Sequence, residues 1–253
     1  MPFFGQVIAC ADDAQVRELL PRLAGRRIVT YGLEGEWELV ARGLATDPDG
    51  SRFELHHRQR GRLGELHIPL PGLHNVRNAL GAIGVALALG VEIETVARAL
   101  AGFAGVHRRF ERLGTRRGAE VVDDYAHHPT EVAATLAAAR QVYPRRTIHA
   151  VFQPHLYSRT RDFAVEFGRA LLAADRVVVT DVYASREAPI PEVSGELVAR
   201  AARAAGHGRV DYCPSWREVP ALLADCGAGD VILTLGAGDI YRLGQALVAE
   251  EAA

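Results

Sequence analysis

The chain has 253 residues, 24% charged and 49% hydrophobic, with 25 Gly, 12 Pro, 3 Cys and a formal net charge of -2. That length holds one large or two small domains with a real core, and the composition excludes disordered, collagen-like and disulfide-scaffold classes. A near-neutral balance gives no bulk attraction to nucleic acid or to an acidic membrane surface.

Residues 5–11 alternate weakly and read as a strand, followed by a helix over 12–23 with Asp12 or Asp13 as its N-cap. A strand over 27–31 comes next. Residues 36–45, 52–58 and 63–69 alternate apolar and polar side chains between DPDG and RGRLG turns, the pattern of an antiparallel meander. After the turn at Pro71 and Gly72, residues 74–89 form an Ala/Leu-rich helix closed by Gly90, and 92–101 a second helix. Beyond the glycines at 102–105 the pattern changes. Strands over 110–113 and 120–125 precede a helix over 129–141 that starts on a proline. Strands then alternate with helices: strands at 147–152, 176–182, 210–212 and 231–235, helices at 160–173, 195–205, 216–224 and 239–249. Strands such as RVVVT and DVILTL, apolar throughout and spaced by helices, indicate a mostly parallel α/β sheet covered on both faces. The boundary between the two regions falls near Gly105.

Several functions are excluded by what the chain lacks. All 29 of its cationic Lys/Arg positions are arginine, so it holds neither a GxxxxGK[ST] phosphate loop nor a Schiff-base lysine. Cys10, Cys213 and Cys226 are odd in number and form no CxxC, as expected for reduced thiols in a cytoplasmic protein. The longest apolar run, 79–91, is too short to cross a bilayer, and no basic segment precedes the apolar start as a signal peptide requires.

Six segments concentrate polar side chains or glycines. HNVRN (74–78) opens a helix, and Asn75 and Asn78 lie three apart, where two amides could read an adenine edge or simply cap the turn. RRFE (108–111) offers Arg109 as a bidentate phosphate clamp, or a solvated basic pair. VVDDYAHHPTE (121–131) runs from the end of an apolar strand into a proline-started helix, the usual ligand crevice of an open α/β sheet. There Asp124 is suited to ribose hydroxyls, and His127 or His128 to orienting a substrate carboxylate or amine. Adjacent histidines diverge, and no nearby Cys or His completes a metal set, so no metal ligands are expected. FQPHLYSRTRD (152–162) brings His155, Tyr157, Arg159 and Arg161 to the same sheet edge, where arginines beside a helix start receive a small anion. DVYASREAPIP (181–191) adds Arg186 and Glu187, as site residues or as a surface turn. LGAGDIY (235–241) looks like a dinucleotide fingerprint but carries Tyr241 at its third small position, which rules out NAD binding.

Taken in order, HNxxN, RRFE, VDDYAHHPTE, FQPHLYSRT and LGAGDI resemble the Mur ligases, and within them the branch that adds L-alanine. The resemblance covers almost the whole chain. It implies an α/β fold: residues 1–105 as the back part of the central ATP-binding domain, without its phosphate loop, and 106–253 as a Rossmann-like C-terminal domain. It also implies a reaction in which ATP phosphorylates the lactyl carboxylate of UDP-N-acetylmuramate and the amine of L-alanine displaces phosphate. Carried over by motif, Asn75 and Asn78 contact adenine, Arg109 the ATP phosphates and Asp124 the ribose. Tyr125, His127, Arg159 and Arg161 receive the alanine, with His127 and Arg159 closest to the chemistry. Leu156 stands where some members have arginine, leaving Arg161 or Arg186 to supply a second carboxylate contact. Mg2+ is implied, with its ligands expected mostly in the part of the family not represented here, so this chain alone is expected to be inactive. A sibling ligase that attaches a tripeptide to the same sugar nucleotide, and a noncatalytic nucleotide-binding module, are the alternatives. Neither nucleic acid nor membrane is an expected partner.

Overall fold

A computed structural model describes residues 5–47, 49–103 and 105–251. Pro48 of the expected DPDG turn and Ala104 of the expected boundary turn lie outside them. The chain forms two compact units, Met1–Gly105 and Val106–Ala253.

The first unit is built on a five-stranded sheet. Strands β1 (Gln6–Cys10), β2 (Arg27–Gly32) and β3 (Leu39–Asp47) run parallel, and β4 (Gly50–His57) and β5 (Gly61–Ile68) continue antiparallel from β3 as the expected meander. The helix expected over 12–23 is shorter. Asp13 caps α1 (Ala14–Leu19), and the remainder tightens into a 3-10 turn at Leu20–Leu23, because Pro21 has no N–H for an α-helical bond. Helix α2 (Leu73–Ala88) buries Val76, Leu80 and Ile83 against Leu39, Phe53 and Leu55 of the sheet, and α3 (Ile93–Ala101) adds Val96 to the same core. Asp12, at the end of β1, accepts from the Leu33 and Glu34 N–H groups and from Arg77 Nε at 2.7 Å. One carboxylate thus ties the ends of two strands to α2.

The second unit holds a six-stranded sheet in the order β10-β9-β8-β11-β7-β6. Its edge strand β6 (Glu111–Arg116) is antiparallel to β7 (Ala119–Asp124), and the other four run parallel to β7: β8 (Thr147–Phe152), β9 (Arg176–Val179), β10 (Val210–Tyr212) and β11 (Asp230–Leu235). Every residue of β7 is buried, while β6 is open at Arg112 and Thr115, as befits an edge strand. Helix α4 (Pro129–Val142) starts on Pro129 under a capping box made by His128 and Glu131. The helix expected over 160–173 is broken. It divides into α5 (Tyr157–Asp162), α6 (Ala164–Ala170) and a 3-10 turn at Leu171–Ala173, because Phe163 leaves helical geometry at φ -120° and packs its ring 5.1 Å from His128. Helices α4, α6 and α7 (Gly195–Ala204) cover one face of the sheet through Leu136, Phe167 and Val198. The single turn α8 (Val219–Leu222), shorter than expected, and α9 (Tyr241–Ala249) cover the other through Val219, Leu243 and Leu247. Strand β9 stops at Val179, three residues before its expected end. Among the described residues no helix is long and apolar enough to cross a membrane.

Candidate active site at the strand ends

In the second unit β7, β11, β8 and β9 are successive neighbours, so the loops that follow them gather at one edge of the sheet. This is where an open parallel sheet binds ligands. Four of the six polar segments lie in those loops, after β7, β8, β9 and β11, and a fifth, 108–111, is tied to them.

The two arginines of RRFE have different duties. Arg108 donates from Nε to Asp123 Oδ2 at 3.0 Å, from Nη1 to the Gly238 carbonyl at 3.1 Å and from Nη2 to the Gly236 carbonyl at 2.5 Å. Its guanidinium also lies 5.0 Å from the Tyr125 ring centre and 4.7 Å from that of Tyr241. Arg108 is therefore a strut between β7 and the glycine loop. Arg109 is exposed, with its guanidinium 5.6 Å from the Tyr125 ring centre, and is the arginine able to meet a ligand.

Asp124 is only 3% exposed and accepts from the Phe110 and Ala126 N–H groups, each at 2.8 Å. Burial pushes its carboxyl up from 3.8 to about 6, against the pull of those two hydrogen bonds and of Arg109. Its main work in the structure is to fasten 108–110 and 124–126 to the strand end, and a ribose hydroxyl could use only the lone pairs left over.

From Tyr125 onward the side chains form one continuous series of contacts. The Tyr125 and His127 rings meet edge-on at 5.2 Å, His127 meets His155 at 5.8 Å, and His155 stacks on Tyr183 at 5.9 Å. Arg159 Nη1 approaches His155 Nδ1 at 3.3 Å. His127 Nδ1 lies 3.0 Å from the Tyr125 carbonyl and 3.2 Å from Glu131 Oε2, both acceptors, so Nδ1 carries the proton. His155 is held below its usual range, first by burial and then by the charges of Arg159 and His127, so it accepts from Arg159 as a neutral ring. The series therefore runs from Arg109 to Arg159 with a positive group at each end.

Other expected residues take supporting places. His128 caps α4 and packs on Phe163. Arg161 is exposed and pairs with Asp162 at 2.7 Å, so the structure does not join it to the series as the sequence reading expects; two residues along α5 from Arg159, it points around the helix. Leu156 sits at φ +70°, in the left-handed region, and opens α5. Arg186 is exposed and contributes to holding the His155 pKa down, whereas Glu187 is committed to the Ser158 N–H at 2.9 Å and hydroxyl at 2.5 Å.

One organising residue goes unselected by the sequence reading. Buried Gln153 donates to Asp239 Oδ1 at 2.8 Å and accepts from the Ile240 N–H at 3.1 Å, and Asp239 also accepts from Trp216 Nε1 at 3.1 Å. A Cβ on Gly238 would lie 2.3 Å from Gln153 Oε1, and Gly236 has φ +148° with its carbonyl turned to Arg108. The glycines of LGAGDI thus serve close packing between Gln153 and Arg108. The signal lies in the FQPH string, but an uncharged amide beside His155 and two arginines does not stand out.

In the first unit, Asn75 and Asn78 both lie on the first turns of α2 but differ in exposure. Asn75 is buried and donates from Nδ2 to the Pro71 carbonyl at 2.8 Å, closing the turn before the helix, whereas Asn78 is exposed. Arg77 between them is the partner of Asp12.

Carboxylates of the crevice are already engaged among the described residues: Asp123 by Arg108, Asp124 by two backbone N–H groups, Glu131 by the N–H groups of His127 and His128, and Glu187 by Ser158. This set does not fit a magnesium ion, which needs free oxygen ligands.

Residues 108–238 match the Mur ligase glutamate ligase domain and residues 2–86 the Mur ligase middle domain. The UDP-N-acetylmuramate–L-alanine ligase of Salinibacter ruber is 46% identical over 98% of this chain and 52% of its own length. That of Nitratidesulfovibrio vulgaris is also 46% identical, over 99% and 55%. The chain thus spans about half the length of the curated relatives it matches. Among solved structures, the UDP-N-acetylmuramate-alanine ligase of Thermotoga maritima superposes with a TM-score of 0.78 at 29% identity, covering 98% of this chain and 51% of that one. The murein peptide ligase of Psychrobacter arcticus does so with a TM-score of 0.72 at 25% identity, covering 98% and 52%. With one family domain matching more than half of the sequence and a second matching most of the first unit, the chain belongs to the Mur ligase family.

Proposed function

We propose that the chain carries the amino-acid site and part of the nucleotide site of an ATP-dependent ligase joining L-alanine to UDP-N-acetylmuramate. In this reading residues 1–105 are the back part of the central domain and 106–253 the C-terminal domain. The observation that carries it is the contact series with an arginine at each end. Arg109 is suited to the ATP phosphates. Arg159, braced on neutral His155, is suited to the carboxylate of alanine, a ligand that offers little else to recognise. Tyr125 and His127 line the space between and would position the amine toward an acyl phosphate, a reaction that rests on orientation and charge neutralisation. Asp124 would meet the ribose through its remaining lone pairs, and Asn78 the adenine from an α2 start set by Asn75. Magnesium, where required, would be held mostly by groups of the family's front half, because the carboxylates of this crevice are engaged. The 46% identity to L-alanine ligases favours this substrate over a tripeptide. A cytoplasmic location follows from the reading.

The test is a chimera in which the front half of the Salinibacter ruber relative is joined to this chain. Phosphate release that depends on both L-alanine and UDP-N-acetylmuramate is expected. Release with a tripeptide but not with L-alanine would overturn the substrate. The 253-residue chain by itself, having no phosphate-loop lysine, is expected to release none.

A further inference from the structure

Away from the crevice, in the part of β8 and β11 where those strands begin, three metal-binding side chains converge from separate parts of the chain. His149 is the third residue of β8, Asp230 the first of β11, and Cys226 lies in the loop before it. One ligand atom from each lies within 4.8 Å of the other two. His149 and Cys226 are 5% and 4% exposed, and Asp230 opens partly to solvent.

The internal geometry of this cluster is incomplete as a hydrogen-bond network. His149 Nε2 lies 3.2 Å from Asp230 Oδ1 and has no well-formed hydrogen bond. A buried imidazole nitrogen without a partner is costly in a folded protein. His149 Nδ1 faces Cys226 Sγ at 3.6 Å. Asp230 Oδ2 accepts from the Gly227 N–H at 2.8 Å, which fixes the carboxylate and leaves Oδ1 directed at the histidine.

We propose that His149, Cys226 and Asp230 bind a thiophilic divalent cation of the zinc class. Bonds of ~2.0–2.1 Å to nitrogen or oxygen and ~2.3 Å to sulfur put tetrahedral ligands about 3.3 Å (N to O) and about 3.6 Å (N to S) apart. The ligand atoms lie within 4.8 Å of one another, close enough to contract onto one ion, while the two short contacts, 3.2 Å to Oδ1 and 3.6 Å to Sγ, are made by different nitrogens of the ring. Turning the His149 ring so that one nitrogen faces both partners is the rearrangement the ion requires. Thiolate and carboxylate together balance a double positive charge, and the imidazole completes a mixed set that suits zinc better than magnesium or calcium. The exposed side of Asp230 leaves the fourth position to water. Two guanidiniums are near, and both are already committed: Arg176 pairs with Asp211 at 3.2 Å and with Asp225 at 3.4 Å, and Arg116 with Glu250 at 3.3 Å. The ion would pin the loop from Cys226 to Asp230 onto β8, on a part of the unit that takes no part in the proposed ligase chemistry.

Chelator-treated chain titrated with Co2+ tests this directly. The expected result is one cobalt per chain with a thiolate-to-cobalt charge-transfer absorption, displaced by one equivalent of Zn2+ and accompanied by a rise in Tm. Cys226→Ser should abolish the absorption, whereas Cys10→Ser and Cys213→Ser should retain it. Absence of the band in the parent chain, or its survival in Cys226→Ser, overturns the proposal. Should Cys226→Ser fail to fold, Asp230→Asn decides: a loss of cobalt affinity of at least about tenfold supports the site, and unchanged affinity overturns it.

Discussion

Arg159 Nη1 stands 3.3 Å from His155 Nδ1, in the loop just before α5, so the imidazole acts as a backstop that aims the guanidinium. Lysine in place of Arg159 keeps the charge but loses the planar fork. In the chimera, Arg159→Lys is expected to raise the KM for L-alanine at least about tenfold, the equivalent of ~1.4 kcal/mol, with the KM for ATP nearly unchanged. An arginine that merely held its own loop would instead lower Tm and damage the use of all three substrates alike. Tm and the three KM values on one variant separate these outcomes.

Asn75 and Asn78 should separate in the same way. Asn75→Ala removes the bond to the Pro71 carbonyl at a buried turn and is expected to cost about 1–2 kcal/mol of stability. Asn78→Ala lies on an exposed position and should leave Tm unchanged while weakening ATP binding. Chemical denaturation and nucleotide titration, run on both variants, check this. Equal effects on Tm would retire the assignment of Asn78 to the ligand.

Arg108→Met leaves the Asp123 carboxylate, 1% exposed, without its counter-charge. Breaking a buried pair from one side costs about 3–5 kcal/mol. Burial already lifts the Asp123 pKa, and loss of the guanidinium lifts it further, so the deficit should shrink as pH falls and the carboxyl takes a proton. Adding Asp123→Asn should recover much of the loss at neutral pH. Urea unfolding of the two single variants and the double variant gives the cycle, and additive losses would contradict the pairing.

Asp124 makes a prediction of definite sign. Its folded pKa, about 6, lies above the 3.8 of the unfolded chain. Between those values the folded state keeps a proton that the unfolded state has released. Stability therefore falls as pH rises through the window, and the penalty is complete above about 6. Asp12, Asp175 and Glu187, held below their usual range, act in the opposite direction, so the informative quantity is a difference between proteins. Relative to the parent, Asp124→Asn should gain on the order of 3 kcal/mol between pH 4 and pH 7, and the constant cost of the one N–H it can no longer accept drops out of that difference. Parallel pH profiles would show that Asp124 is not held protonated.

The alternation of strand and helix after Gly105 is legible in the sequence because buried parallel strands are apolar throughout and their helices are separated by turn residues. The segments ending at Asp124 and Phe152 accordingly mark strand ends that the fold brings to one edge of the sheet. Helix continuity is less legible. Nothing in the run from Thr160 to Ala173 announces a break at Phe163, since the break arises from a tertiary contact with His128. Roles within the polar strings are the least legible. Arg108 and Arg109 are identical in type, and only the fold determines that one is a strut and the other free. Likewise Asp124 reads as a ligand group, yet it is buried under two backbone N–H groups. His149, Cys226 and Asp230 are separated by up to 81 positions and carry no local motif, so their meeting is a product of strand order alone.

Strand order also bears on how the chain is made. Strand β11 pairs with β7 on one side and β8 on the other, although some hundred residues are synthesised between the end of β7 and its own first residue. Until it emerges from the ribosome, β7 and β8 each expose an unpaired apolar edge, the kind of surface that invites aggregation. At about 5–20 residues per second this exposure lasts roughly 5–20 s for every copy translated. Nascent second units should therefore be chaperone clients up to the release of Leu235. A nonsense codon just before Asp230 should then yield insoluble product, whereas one placed after α9 should not.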